Sequence, residues 1–381
     1  MPPGTAEHVH DEASTAERSL LVVNRGSSTI KFGLFTLAEH PVPLRQGSVE
    51  AAAAAPALRQ LMERIAAHVT IRPLAAVVHR IVHGGATLVQ ARVVDADVMQ
   101  VLERLVDLAP NHLPDEIELI GAVRSQQPDL PQVVCFDTAF HAGLPDVARR
   151  LPVAAEYEDR GLRRYGFHGL SCTFLMEELR KRAPPAAIRR VILAHLGNGS
   201  SLTAVLDGHS IDTTMGLTPI GGVVMSTRAG DLDPGVVTQM ARLGGLDFEA
   251  LEDELSHRSG LTAISGGVSD MRELLTRAAS DERCRLAIDI YCYQIRKTIG
   301  AYTAALEGLD TLVFSGGIGE HAAPVRAQIC GGLEVFGIDV DQTANLANAP
   351  LISTARSRVT VHVIPTDEEA VMARAAYPLL Q

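Results

Sequence analysis

The sequence predicts an α/β protein made of two related halves. Strand-like and helix-like patterns alternate along 381 residues, a length that favours two cores over one. One short device is also written twice, as "VVNRGSSTIKFGLF" from Val22 to Phe35 and as "VILAHLGNGSSLTAVL" from Val191 to Leu206. Each is an apolar run, then Asn, Gly and paired serines, then a second apolar run. Alternation of this kind builds helices onto the faces of a sheet.

In the first half, Leu20–Val23 and Ile30–Phe35 bracket a tight turn and read as a hairpin. Helical spacing follows over Pro56–Val69, and Ala75–Val82 is a short apolar strand running into "HGG". Val98–Leu108 and Asp115–Gln126 read as helices, and "QVVCFD" as a buried strand. The pattern turns irregular and charged over Pro145–Arg163, which places a boundary near residue 150. The second half restarts with strands at Arg190–His195 and Ser201–Leu206. It ends in a long amphipathic helix, Arg283–Leu306, that feeds the buried strand of "LDTLVFSGG". The expected division is a tail over 1–18, one domain over 19–150 with helix 369–381 packed back onto it, and a second over 151–368.

Apolar residues make up 46% and charged residues 21%, a globular balance. Tryptophan is absent and aromatics are 4%, so the cores are built from aliphatic side chains. No apolar run approaches membrane-spanning length, and the first residues have neither the basic nor the apolar region of a secretory signal. The "HVHDE" of the tail reads as solvated charge. Five scattered cysteines without a C-x-x-C pair fit reduced thiols in a cytoplasm. A net charge of −11 argues against nucleic acid or anionic membrane as partner. An anionic substrate would then need a few positive groups gathered in one cleft.

Either Gly/Ser stretch alone is an ordinary hairpin; two at matching places favour a pair of phosphate cradles, with bare backbone N–H groups and hydroxyls offered to a ligand. No G-x-x-x-x-G-K-[ST] and no G-x-G-x-x-G opening a helix is present, so neither a Walker-type NTPase nor a Rossmann dehydrogenase is supported. "VVHRIVHGG" brings Arg80 to a strand end, where a guanidinium clamps a carboxylate or phosphate or simply meets solvent. "VCFDTAFH" delivers Asp137 from a buried strand, as a reactive group or a turn cap. In "RRYGFHGLS", glycines flank His168. Arg228 is the anion contact of the turn-rich "GLTPIGGVVMSTRAGDLDPG". "SGGVSDMRE" and "FSGGIGEH" are Gly-rich turns opening into helices, and "IPTDEE" starts a helix with acids that cap it or reach a cation.

Eight of these motifs, from "NRGSSTIKF" through "HRIVHGG", "FDTAFH", "RRYGFHG", "HLGNGSS", "STRAGDLDPG" and "SGGIGE" to "IPTDEE", stand in the order of the acetate kinase family, which the chain resembles from Leu20 to Ala376. The family sits with propionate and butyrate kinases in the superfamily of sugar kinases, actin and chaperone ATPases. The resemblance implies two duplicated ribonuclease H-like (actin-like ATPase) domains with an interdomain nucleotide cleft, and a homodimer. It also implies reversible, Mg²⁺-dependent (or Mn²⁺-dependent) transfer of the ATP γ-phosphoryl group to a short carboxylate, giving an acyl phosphate and ADP.

Carried over residue by residue, the resemblance makes Asp137, His168, Arg228, Arg80 and His112 catalytic. It puts Arg80, Val82, Asn111, Phe167 and Pro219 on the acid. Lys31, His195, Leu196, Gly197, Asn198, Gly199, Asp270, Met271, Arg272, Gly317, Ile318, Gly319, Glu320 and His321 fall to the nucleotide, and Asn24 and Glu368 to the metal. The chain departs from the pattern at Arg25, where the family has a small residue, at Asn111 for Leu and Leu113 for Asn, at Gly221 for an acid, and at Cys172 for His. A buried Asn111 would want hydrogen-bond partners and make the acid pocket more polar. The alternatives are a kinase for propionate or another short acid, a kinase with a phosphoryl donor other than ATP, and a non-catalytic ATP-binding sensor.

Overall fold

A computed structural model describes residues 18–26, 29–50 and 53–381. The N-terminal tail and the serines Ser27 and Ser28 of the first turn therefore lie outside the described residues. The chain divides into two compact units, one of Met1–Phe136 with Glu368–Gln381 and one of Asp137–Asp367.

The first unit is built on a six-stranded sheet in the order β3-β2-β1-β4-β6-β5. Its strands are β1 (Ser19–Arg25), β2 (Thr29–Thr36), β3 (Pro43–Glu50), β4 (Leu74–Ile81), β5 (Arg92–Val93) and β6 (Gln132–Phe136). The second holds a five-stranded sheet, β11-β10-β7-β8-β9. Its strands are β7 (Arg190–Leu196), β8 (Ser200–Leu206), β9 (His209–Thr213), β10 (Thr311–Ser315) and β11 (Thr360–Val363). The two sheets repeat one plan. An antiparallel hairpin (β1–β2, β7–β8) gains a third antiparallel strand (β3, β9), and two parallel strands are added on its other side (β4 and β6, β10 and β11). Each Gly/Ser device falls in sequence between the two strands of the founding hairpin, between β1 and β2 in one half and between β7 and β8 in the other.

Strand alternation decides which side chains reach a site. On β1, Leu21 and Val23 pack with Leu58, Leu61, Leu119 and Val123 from the helices Ala54–Ile71 and Leu113–Gln126. Asn24 therefore faces the other side, which the C-terminal helix Glu368–Ala376 covers. On β7, Ile192 and Ala194 pack against the long helix Glu282–Ala305, whereas Val191 and Leu193 face the helix Gly169–Arg182. His195 keeps that second parity and meets Ser171.

Residues 137–150, expected with the first half, belong to the second unit. Gly169 N donates to Asp137 O at 2.7 Å, and His141 Nδ1 and Nε2 are held by Ser210 Oγ and Phe167 O, both at 2.9 Å. These bonds tie the segment to β9 and to the helix that follows His168.

Burial pulls the pKa of His141 down to about 4, and that of His79, buried against Gln132 in the first unit, to about 4 as well. Both rings are neutral in the native state near pH 7. An unfolded chain protonates them below about 6.5, so their contribution is complete above that pH and is lost as pH falls towards 4. Each histidine is expected to remove about 2 kcal/mol of stability between pH 6.5 and 5. Urea denaturation at pH 7.5 and pH 5 checks this, and equal midpoints would contradict it.

Candidate active site

In the first unit, three residues from distant parts of the chain come together. Arg80 Nη1 donates to Asn24 Oδ1 at 3.1 Å, and Arg80 Nε lies 4.0 Å from Glu368 Oε2. The ends of β1 and β4 supply Asn24 and Arg80, and the first turn of the C-terminal helix supplies Glu368. All three are half-buried. The two oxygens offered here, an amide and a carboxylate, are hard donors that suit Mg²⁺. Among the described residues no three His, Cys, Asp or Glu side chains form a metal cluster. An ion held by Asn24 and Glu368 would thus keep most of its ligands as water and phosphate, which is the habit of Mg²⁺.

Two consecutive acids fix the helix Leu113–Gln126 to the strand ends. Glu116 is buried and its carboxylate accepts from Val82 N at 3.1 and 3.3 Å, while Asp115 Oδ2 lies 3.4 Å from Arg25 Nη2. Arg25 is accordingly neither a solvent group nor placed on the Asn24 face; it is 6% exposed on the helix side of the sheet. His112 is half-buried just before that helix, and Val82 is buried. Asn111 is exposed, which corrects the expectation of a buried amide wanting partners. Leu113 is a core residue, and Lys31, opposite Asn24 across the hairpin, is exposed.

In the second unit, His168 takes a left-handed conformation (φ 57°, ψ 27°) immediately before the helix Gly169–Arg182. Such a backbone is uncommon for a residue with a Cβ and marks a position that its surroundings enforce. Its Nδ1 is 2.9 Å from Ser201 Oγ, and its ring stacks 4.3 Å from that of His195, whose Nδ1 is 2.8 Å from Ser171 Oγ. A Cβ built on Gly199 would lie 3.2 Å from His168 Nε2 and 3.4 Å from Arg228 Nη1. Imidazole and guanidinium thus flank the bare backbone of the second Gly/Ser turn.

The loop that carries Arg228 is pinned at several points. Asp231 Oδ1 accepts from Gly222 N and Asp231 N donates to Gly222 O, both at 2.7 Å; Gln294 Oε1 accepts from Val224 N at 2.7 Å. Ser226 N donates to Asn198 O at 3.3 Å, joining the loop to the turn, and Arg228 Nη1 donates to Pro219 O at 3.2 Å. Asp137 is buried at the end of β6, with its carbonyl bonded to the residue after His168. Phe167 is a core residue.

The segments expected to take a nucleotide divide by exposure. Gly197, Asn198 and Gly199 reach the surface, as do Gly317 and His321, whereas Leu196, Ile318 and Gly319 are buried. Gly316 has φ +75° and a Cβ there would stand 2.6 Å from Leu196 O, so only glycine lets the two turns abut. Asp270 caps the helix Met271–Arg277 and pairs with Arg272 Nη2 at 2.8 Å, which holds its carboxyl down at about 2. Met271 points into the core and Arg272 into solvent.

The hydroxyls of the second turn do not face outward as expected. Ser200 Oγ bonds Tyr291 Oη at 2.9 Å and Ser201 Oγ holds His168, so both hydroxyls are spent inside the protein. The supporting residue Ser171 was passed over in the sequence although it lies inside a quoted motif, and Ser201 was read as a ligand group rather than as the support of His168. In "RRYGFHG" the arginines are structural. Arg164 Nη1 donates to Thr213 O at 2.7 Å, and Arg163 stacks over the Tyr165 ring.

The acetokinase family profile matches residues 45–374. The chain belongs to the acetokinase family. It is 39% identical to an acetate kinase of Nitrobacter hamburgensis over 95% of this chain and 96% of the relative, and 38% identical to one of Streptomyces avermitilis over 95% and 97%. Among solved structures it is similar to Porphyromonas gingivalis acetate kinase, with TM-score 0.87, 32% identity, and coverage of 96% of this chain and 100% of that one. A propionate kinase from Francisella tularensis superposes with TM-score 0.87 and 34% identity over 94% and 98%. The duplicated sheets are therefore the two actin-like ATPase halves of this family's fold. The five cysteines are free and buried, and among the described residues no helix is long and apolar enough to cross a membrane.

Proposed function

We propose that the chain is an acetate kinase, a phosphotransferase that moves the γ-phosphoryl group of ATP to a short-chain carboxylate, acetate first, and back. The observation that carries the reading is the flanking of Gly199 by His168 and Arg228. A transferring phosphoryl group carries charge on its equatorial oxygens and needs alignment and neutralisation more than covalent help. A turn of bare backbone between an imidazole and a guanidinium supplies both.

In the forward direction a carboxylate oxygen of the acid bonds to the γ-phosphorus as the bond to the β-phosphate oxygen breaks, and ADP leaves. The carboxylate is already a nucleophile, so no strong base is required. Arg80 grips the acid, His168 and Arg228 compensate the migrating charge, and His112 stands by as a further active-site imidazole. Asp137 orients a cation or water rather than abstracting a proton. Asn24 and Glu368 would hold Mg²⁺, which supplies charge neutralisation to the phosphate tail. The backbone of His195–Gly199 and Gly317–His321 takes the nucleotide, with Asp270–Arg272 and Lys31 at its margins. Val82, Asn111, Phe167 and Pro219 belong to the acid subsite.

The free thiols support a cytoplasmic location. We also place the chain in a homodimer. The apolar face of the long helix is spent on its own core, which leaves Leu286 and Tyr293 exposed for such a contact. Propionate is the second acceptor, since a propionate kinase is among the similar structures.

Trapping acyl phosphate as the hydroxamate, with acetate, propionate, butyrate and a hydroxy acid, and with ATP or pyrophosphate as donor, tests the whole reading. ATP-dependent hydroxamate with acetate is expected. Product with pyrophosphate but not ATP, or none with any acid, would overturn it.

A further inference from the structure

We infer that Arg326 is a positioning residue for the nucleotide, setting the single helical turn Gly316–His321 from inside the core without touching the ligand. This rests on the nucleotide reading of that turn given above. Arg326 lies in the helix Ala323–Cys330 and is 0% exposed. A guanidinium has five N–H donors, and here they meet five acceptors. Nη1 donates to Gly319 O at 2.8 Å and Glu320 O at 3.0 Å; Nε donates to Asn345 Oδ1 at 2.8 Å; Nη2 donates to Asn345 O and Asn348 Oδ1, both at 2.7 Å.

All five acceptors are neutral amide or carbonyl oxygens. A fully buried charge without a carboxylate is an expensive way to join two loops, since apolar packing of similar volume is often as stable. Two features tie it to the nucleotide turn. The fork grips the two carbonyls at the end of that turn, and its positive charge, which no carboxylate pairs with among the described residues, favours an anion bound nearby. The frame on the other side is rigid, because Asn345 is itself buried and its Nδ2 donates to Ala323 O at 2.9 Å. Displacement of Gly319 and Glu320 would propagate in two directions. Gly316 already abuts Leu196 of the other turn, and Glu320 Oε1 accepts from Thr366 N at 3.4 Å in the "IPTDEE" segment.

The test compares nucleotide and acid constants in Arg326→Met, with circular dichroism to establish folding. KM for ATP and the Kd of ADP by calorimetry are expected to rise about tenfold or more, while KM for acetate stays within about twofold. Asn348→Gly removes one acceptor at an exposed residue whose φ of 49° glycine adopts freely. Its ADP affinity is expected to fall about threefold, with a melting temperature lowered by about a few degrees at most. If Arg326→Met does not fold, Asn348→Gly decides alone. Unchanged ADP affinity in the folded variants, or equal shifts in the nucleotide and acetate constants, overturns the inference. Wild-type protein that binds no ADP would instead sink the reading of the site itself.

Discussion

Arg228→Ala is expected to lower kcat by about 10²–10³ with little change in fold, because it removes a preorganised positive group aimed at charge that develops during transfer. The loop around Arg228 is held by its own backbone and by Asp231 and Gln294, and the guanidinium Nη1 reaches Pro219 O and Met225 Sδ of the same loop. Truncation therefore leaves the scaffold standing. On the proposed reading, ground-state binding of ATP draws on the Gly197 and Gly317 segments as well, so KM for ATP should move far less than kcat. Lysine at 228 should recover only part of the rate, since a point charge on a flexible stem does not reproduce the planar fork. Arg80→Ala makes a contrasting case. Its guanidinium sits with Asn24 and Glu368 in the other unit, so its loss should raise KM for the acid as well as lower kcat. The hydroxamate assay, run over both substrates, separates the two patterns. Turnover within a few-fold of wild type in Arg228→Ala would remove the charge-compensation mechanism.

How much of this was legible beforehand depended on where the information lay. Apolar runs bounded by turn residues announced β1, β2, β4, β6, β7, β8 and β10, and the twin turns announced the duplication. The strand Pro43–Glu50 did not show itself, because it is largely exposed at a sheet edge and has no apolar alternation. His209–Thr213, written HSIDT, was hidden because Ile211 is its only apolar residue and no apolar run marks it. In the site, Asn24, Arg80 and Glu368 were named from separate motifs, yet only the sheet parity and the return of the C-terminal helix bring them together. The direction of a hydroxyl is a tertiary property. Ser200 and Ser201 read as ligand groups in the sequence, and packing turned both inward, one to Tyr291 and one to His168. Asn111 was misjudged for the same reason, as burial cannot be read from one residue in "LAPNHLP". Arg326 gave no signal at all, since an arginine in a short amphipathic helix looks like a surface residue until its surroundings are folded around it.

Gly169→Ala should be as damaging as removing a catalytic group, although glycine has no side chain to lose. A Cβ at this position would stand 2.2 Å from Asp137 O and 3.1 Å from Phe140 N, both backbone atoms that cannot swing aside. The same residue donates its N–H to Asp137 O at 2.7 Å, so the methyl group would pry apart the bond that sets Asp137 beside the His168 turn. Overpacking of this kind typically costs about 1–3 kcal/mol. The larger consequence is geometric, because displacing reacting groups by about 1 Å can cost on the order of 10² in rate. Thermal melting and kcat should therefore fall together, with kcat down by about 10² or more. Gly121→Ala supplies the control. It lies in the helix Leu113–Gln126 with nothing within 4 Å of its Cβ position, so alanine there should stabilise by about 0.5–1 kcal/mol and leave kcat alone. If Gly169→Ala melts and turns over like wild type while Gly121→Ala behaves as stated, the close approach of Asp137 to the His168 turn is not what holds this half of the site in register.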